Sequence, residues 1–244
     1  MLKQISLLIL CAVAIVFFAT PVHACTSAVV SGKVTPDGRP LLWKNRDTDF
    51  MRNHVDYVKG ERYDFIAVVN SANAYLKEAW MGTNSAGFAL MNTQSYNLVD
   101  VKGDEERGAA NGRVIYRALE VCATVEDFCH FLDTISKPSD IEANFGVIDA
   151  QGGAAMFEVD YYKYVMYDAN NPKDAPYGYI ARTNFSFAGK VNEGAGYVRY
   201  MEADQVLMKA SATGSITPQF IFNDLSRSFR NRMLDIDLRS GVYN

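Results

Sequence analysis

Cys25 stands directly behind an apolar leader, and that position decides where the fold has to begin. Lys3 gives the chain a positive start. Ile5 to Phe18 is an apolar run of signal-peptide length, and Val22-His23-Ala24 closes it with a small last residue and an apolar one two before it. A membrane-spanning helix needs about 20 apolar residues, and Pro21 and His23 interrupt this run. The sequence therefore predicts a signal peptide over 1–24, cleavage between Ala24 and Cys25, export to a periplasm or to the outside, and no stable membrane span after processing. A strand-forming run, Thr26-Ser27-Ala28-Val29-Val30, follows at once. Cys25 thus becomes the first residue of the mature chain and sits at the mouth of its first strand.

Residues 25–244 suit one sizeable domain. A formal charge of −4 argues against nucleic-acid partners, because phosphate recognition wants a basic face. Cys11 leaves with the leader, so Cys25, Cys122 and Cys129 remain. An odd count in an exported chain marks one leftover thiol. Within one straight helix Cys122 and Cys129 would be about 10 Å apart, too far to bridge. A break at Ala123-Thr124 would bring them together, and a Cys122–Cys129 disulfide is expected on that basis. No Cys/His cluster has metal-ligand spacing, so no structural zinc is expected.

Turn chemistry at Thr35-Pro36-Asp37-Gly38 joins the runs Thr26 to Gly32 and Pro40 to Asn45 into a hairpin. Tyr63 to Asn70, Leu76 to Met81 and Gly87 to Thr93 read as three more strands, with a loop at Gly82 to Gly87 and a charged surface loop at Asp100 to Gly108. Arg113 to Cys122 and Val125 to Ile135 have helical periodicity, the second behind a Thr124/Asp127 cap. Strands return at Asn144 to Asp149, Ala154 to Val159, Tyr164 to Tyr167 and Tyr179 to Thr183. Helices follow at Gly196 to Lys209 and Pro218 to Leu225, and a last strand start falls in Ile236 to Tyr243. Runs of strands and runs of helices, without strict alternation, predict an α+β layered domain with mainly antiparallel sheets.

A thiol at a freshly cleaved terminus lies beside its own α-amine, whose ordinary pKa is about 7.7–8.0. That amine can serve as a general base without a histidine. Histidine is scarce: only His54 and His130 survive processing. A Cys-His pair would need His54, since His130 falls inside a predicted helix and reads as structural. A second reading makes Cys25 the lipid-attachment site of a non-catalytic exported lipoprotein or binding module. Val22-His23-Ala24-Cys25 fits that pattern loosely, and a strand follows where a flexible tether would be expected.

Cys25-Thr26-Ser27, the turn Asp37-Gly38 and the segment Lys44-Asn45-Arg46-Asp47 resemble the opening of N-terminal-nucleophile hydrolases. Within that group the chain is similar to the choloylglycine hydrolase and penicillin V acylase branch. It resembles still more the acyl-coenzyme A:6-aminopenicillanic acid acyltransferases and the acid-ceramidase-like enzymes. The resemblance implies a four-layer αββα sandwich with Cys25 as nucleophile and Asp47 holding the α-amine. Lys44 stands where arginine is common in the family, and Arg46 directly precedes Asp47, so which cation lines the nucleophile stays open. Asn84 to Asn92 resembles the family's loop and strand ending in an oxyanion-hole asparagine, making Asn92 the candidate. Thr183-Asn184 resembles a Thr-Asn segment carrying another active-site asparagine, Asn184, and Arg199 falls about where the family places a late arginine. Trp80 and Tyr161-Tyr162 read as core or hairpin aromatics.

The reaction so implied is attack of the Cys25 thiolate on a linear amide, a thioester acyl-enzyme, and transfer to water or an amine, with no metal or bound cofactor needed. The substrate would be an N-acylated small molecule, and a homo-oligomer is left open. Chains of the family usually continue with further strands, so the resemblance leaves open whether the catalytic domain at 25–244 is whole, a fragment, or one chain of a processed enzyme.

Overall fold

A computed structural model describes residues 25–72, 74–99, 108–228, 230–231 and 235–237. The expected leader, nearly all of the charged segment from Asp100, and the end of the chain past Asp237 lie outside the described residues.

The hairpin at the start of the domain forms as expected. β1 (Thr26–Val30) pairs with β2 (Leu41–Asn45), and β1 is also joined on its other edge by β10 (Tyr179–Arg182). The second sheet is a seven-stranded antiparallel meander in chain order: β3 (Asn53–Val58), β4 (Phe65–Asn70), β5 (Met81–Asn84), β6 (Ala89–Gln94), β7 (Ala143–Ile148), β8 (Ala154–Val159) and β9 (Tyr164–Asp168). The helices are α1 (Asn111–Val121), α2 (Val125–Thr134), α3 (Tyr197–Ala212) and α4 (Pro218–Asn223). A short pair, β11 (Arg230–Asn231) with β12 (Ile236–Asp237), follows.

Three apolar clusters stack these elements into layers. Ile115, Leu119, Phe128 and Leu132 of α1 and α2 pack on Leu90, Phe145 and Phe157 of the large sheet. Val29, Met91, Met156 and Ile180 join the two sheets. Leu207, Ala210 and Ile221 of α3 and α4 cover Ala28, Val30, Trp43 and Ala181 on the small sheet. The order helices, sheet, sheet, helices is the αββα sandwich. Strand alternation explains it: Ala28 and Val30 face the helices while Val29 faces the other sheet. Gly146 marks a close approach of the sheets, since a Cβ there would lie 2.2 Å from Met91 Cε and 2.8 Å from Val29 Cγ2.

The start of α2 follows from its sequence. Thr124 accepts from the Asp127 N–H at 3.0 Å, and Asp127 Oδ2 accepts from the Thr124 and Ala123 N–H groups at 3.1 and 2.8 Å. This reciprocal cap satisfies donors that a helix start leaves open. Thr124→Ala should cost about 1 kcal/mol, a melting-temperature drop of about 2–4 °C for a domain of this size. An unshifted melt would show that the cap contributes nothing.

Three expectations need correction. The strand expected at Leu76 to Met81 is instead a 3₁₀ turn, Ala74–Leu76, followed by β5 at Met81–Asn84. Lys77 adopts φ +55°, which breaks extension there. Strand β3 was not expected at all. It is a largely exposed edge strand, so its sequence carries no buried stripe to read. Cys122 and Cys129 are not bridged, and both are free thiols. Cys122 ends α1 inside the core at 1 % exposure, where burial pushes its pKa up to about 12. Cys129 turns toward β9, its sulfur 3.8 Å from Met166 Sδ.

Candidate active site

The hairpin register places the first site residues. Thr26 pairs with Asn45 and Ser27 with Lys44, so Cys25 and Arg46 are the residues that flank the last pair of the ladder, and both line one cavity. Leu42 packs between the sheets while Trp43 packs among the helices. Lys44 and Arg46 share the parity of Leu42 and turn toward the large sheet.

That sheet opens to receive them. Pairing of β5 with β6 stops at Met81 and Met91, whereas β6 continues beside β7 to Gln94. Along the edge so exposed lies a cavity of about 330 Å³ lined by Cys25, Lys44, Arg46, Asp47, Thr48, Phe50, Trp80, Asn92, Gln94, Tyr96, Gly108 and Asn184. A larger groove of about 760 Å³ between α3 and α4 has no cysteine in its walls, so the chemistry belongs to the smaller cavity.

Cys25 is 8 % exposed. Its sulfur sits 3.5 Å from both the amide nitrogen and the carbonyl oxygen of Asp47. The Asp47 backbone, rather than its carboxylate, thus cradles the thiol, and the carboxylate stays exposed at the cavity wall.

Lys44 Nζ donates to Asn92 Oδ1 at 3.1 Å and to the Trp80 carbonyl at 3.0 Å. An ammonium only donates, so this bond fixes which way the Asn92 amide faces. The Asn92 oxygen meets Lys44, and the group left for the cavity is its NH₂ donor. Burial pulls the Lys44 pKa down to about 8, against an opposing pull from Cys25.

Arg199, in the first turn of α3, is buried at 8 % exposure. Its Nη1 donates to the Cys25 carbonyl and, at 3.1 Å, to Thr26 Oγ1, while Nη2 donates to Asn184 Oδ1 at 3.0 Å. Burial lowers its pKa to about 10, opposed by Cys25 and Asp47. Gly196 makes room for this fold-back. It adopts φ +89°, and a Cβ there would run into the Arg199 guanidinium. Asn184 is held at its other end by donation to the Gln94 carbonyl at 2.9 Å.

All six expected residues, Cys25, Lys44, Asp47, Asn92, Asn184 and Arg199, therefore come together, with Arg199 behind the cavity wall rather than in it. Several others were not expected here. Trp80 was read as a core or hairpin aromatic, yet it walls the cavity, with the Arg46 guanidinium 5.1 Å from its ring centre. Gln94, Tyr96 and Phe50 also line it. Asn144, fully buried, donates to Thr93 Oγ1, the Thr183 carbonyl and the Phe185 carbonyl at 3.1–3.2 Å and so pins the Thr183-Asn184 segment. In the sequence it reads only as the start of a strand. Asn84 caps α1 through the Leu119 and Cys122 carbonyls at 2.9 and 2.8 Å and has no part in the site. His54 and His130 are exposed and do not line the cavity.

A family model described as acyl-coenzyme A:6-aminopenicillanic acid acyl-transferase matches residues 34–210. The match begins after Cys25 and takes in Lys44, Asp47, Asn92, Asn184 and Arg199. Among solved structures, a Caenorhabditis elegans ortholog of N-acylethanolamine-hydrolyzing acid amidase is similar with TM-score 0.54 at 15% identity, over 82% of this chain and 89% of that one. A variant of conjugated bile acid hydrolase from Clostridium perfringens aligns with TM-score 0.49 at 12% identity, over 83% and 74%. The likeness to the Caenorhabditis elegans structure, at 15% identity, is one of fold, the N-terminal-nucleophile αββα sandwich. No protein of curated function matches the chain by sequence.

Proposed function

The chain belongs to the acyl-coenzyme A:6-aminopenicillanic acid acyl-transferase family, and we propose that it is an exported amidase or acyltransferase whose nucleophile is Cys25, freed as the N-terminus by removal of residues 1–24. The observation that carries this reading is the convergence of Cys25, Lys44, Asp47, Asn92 and Asn184 on one cavity, with the cysteine at the predicted cleavage point. The freed α-amine takes the thiol proton, with the Asp47 carboxylate holding it. The thiolate attacks the carbonyl carbon of a linear amide. Negative charge develops on the carbonyl oxygen and is met by the Asn92 NH₂ and by Lys44 behind it. The amine leaves with the proton returned by the α-amine. A thioester on Cys25 remains, and water or an acceptor amine takes the acyl group from it.

Arg199 and Asn184 act on this step by placement. Arg199 fixes the Cys25 carbonyl and so the direction of the terminal residue. Intact mass of the exported protein tests the reading: a bare Cys25 at the terminus supports it, and a diacylglyceryl Cys25 would make the chain a lipoprotein. The burial of Cys25 at the cavity floor favours the enzyme.

The lowered pKa of Lys44 gives a pH signature. Lys44 carries its charge below about 8 and loses it as pH rises past that value. The α-amine gains base strength as pH rises through its own pKa, ordinarily about 7.7–8.0. The two trends oppose, so kcat/KM should pass through a narrow maximum near pH 8 and fall above it. Lys44→Arg, which does not titrate in this range, should remove the alkaline fall. A pH–rate profile with the same alkaline limb in wild type and Lys44→Arg would take Lys44 out of this role.

A further inference from the structure

We infer that Arg46 is a specificity-determining anchor for an anionic group on the amine half of the substrate, so that the preferred amide is an N-acyl amino acid or a close relative with a carboxylate beside the scissile nitrogen. The inference rests on the reading of Cys25 as nucleophile and names the substrate class of that same site.

Three cations surround Cys25, and among the described residues none of them closes an ion pair with a carboxylate. Their acceptors are neutral: Asn92 and the Trp80 carbonyl for Lys44, Asn53 and Asn70 for Arg46, and Asn184, Thr26 and the Cys25 carbonyl for Arg199. Asp47 is the one acid among the lining residues. Such an excess of positive charge, in a chain of net charge −4, exceeds what one thiolate or one oxyanion balances. Cations drawn partly out of water and left without a counter-charge bind an anion well once it arrives.

Two of the three already have their tasks. Lys44 orients Asn92, and Arg199 lies behind the terminal residue, outside the cavity lining. Arg46 lines the cavity and is braced without being neutralised. One Nη donates to Asn53 Oδ1 and the other to Asn70 Oδ1 at 2.7 Å. That leaves three of its five N–H donors. The Trp80 ring, 5.1 Å from the guanidinium carbon, holds its position. Arg46 directly follows the last ladder pair, Thr26 with Asn45, lines the same cavity as Cys25 and interacts electrostatically with it, so an anion on Arg46 would lie next to the nucleophile. A carboxylate on the carbon bonded to the scissile nitrogen falls there, whereas one at the far end of a long acyl chain does not.

The test compares N-phenylacetylglycine with N-phenylacetylglycinamide, which share the scissile amide and differ in charge. Wild-type kcat/KM should favour the carboxylate by about 10- to 100-fold, the worth of a charge-assisted hydrogen-bonded pair, mostly through KM. Arg46→Gln should bring the ratio near 1, and Arg46→Lys, which keeps the charge and loses the fork, should fall between. A wild-type ratio near 1, or a preference that survives in Arg46→Gln, overturns the inference. Binding separates it from the proposed function. Cys25→Ala protein with a free terminus should bind the glycine conjugate more tightly than the glycinamide, read by tryptophan fluorescence, and only while Arg46 is present. If no amide is hydrolysed but this preference holds, the nucleophile reading fails and the Arg46 anchor stands. Equal binding of the two compounds rejects the anchor.

Discussion

A protein that keeps one residue in front of Cys25 should fold and still turn over amides about 100- to 10,000-fold more slowly than the mature chain, the usual range of general-base help. The extra residue locks the α-nitrogen in a peptide bond, and an amide nitrogen cannot accept the thiol proton. Among the described lining residues no histidine stands at the thiol, and Lys44 is engaged with Asn92 and the Trp80 carbonyl. His54 and His130 are exposed and away from the cavity, and the groups facing Cys25 are the backbone of Asp47 and three cations. Cys25→Ala with a free terminus should be comparably inactive, for want of a nucleophile. His54→Ala and His130→Ala should keep most of their turnover. Steady-state hydrolysis by the extended protein, after mass spectrometry has shown the extra residue still attached, is the comparison to make. A dead His54→Ala variant would point instead to a Cys-His pair.

Asn92→Ala should lower kcat about 100- to 1,000-fold and leave KM nearly unchanged. Asn92 is buried at 3 % exposure, its oxygen is held by Lys44 at 3.1 Å, and its NH₂ is therefore pre-aimed into the cavity. A donor held this way stabilises charge that exists only in the transition state, which is why the loss should fall on kcat. The same truncation frees one acceptor of the Lys44 ammonium and leaves the Trp80 carbonyl, so the lysine should stay in place. A folded Asn92→Ala protein with wild-type kcat would remove Asn92 from the oxyanion site.

Much of the fold is written in local pattern. The hairpin around Asp37-Gly38, the amphipathic stripe of α1, the capped start of α2 and the β7–β8 hairpin each announce themselves within about a dozen residues, and each forms. What the pattern does not carry is long-range closure. The pairing of β1 with β10 joins Ser27 to Arg182, and no local signal demands it. The chemistry divides the same way. Cys25 is legible from the cleavage point alone. Lys44, Asp47, Asn92, Asn184 and Arg199 rest on the resemblance; one hairpin carries the first two back toward Cys25, and only the fold brings the other three within reach of it. Trp80 was misread because an aromatic between a turn and a strand looks like core. It becomes a cavity wall because β5 stops pairing with β6 at Met81. Asn144 gives no sequence signal of its role, since a buried strand asparagine declares its partners only once the Thr183 segment is folded over it. The missing disulfide has the same cause, because spacing alone does not say that Cys122 faces the core while Cys129 faces Met166.

The most direct test of the central claim is the intact mass of the exported protein, acid-quenched during turnover of an amide it hydrolyses. The account predicts a chain that begins at a bare Cys25, together with a second species heavier by one acyl group that maps to the N-terminal peptide and is released by hydroxylamine. A fully active protein that still carries Ala24, or an acyl group on any residue other than Cys25, would contradict it.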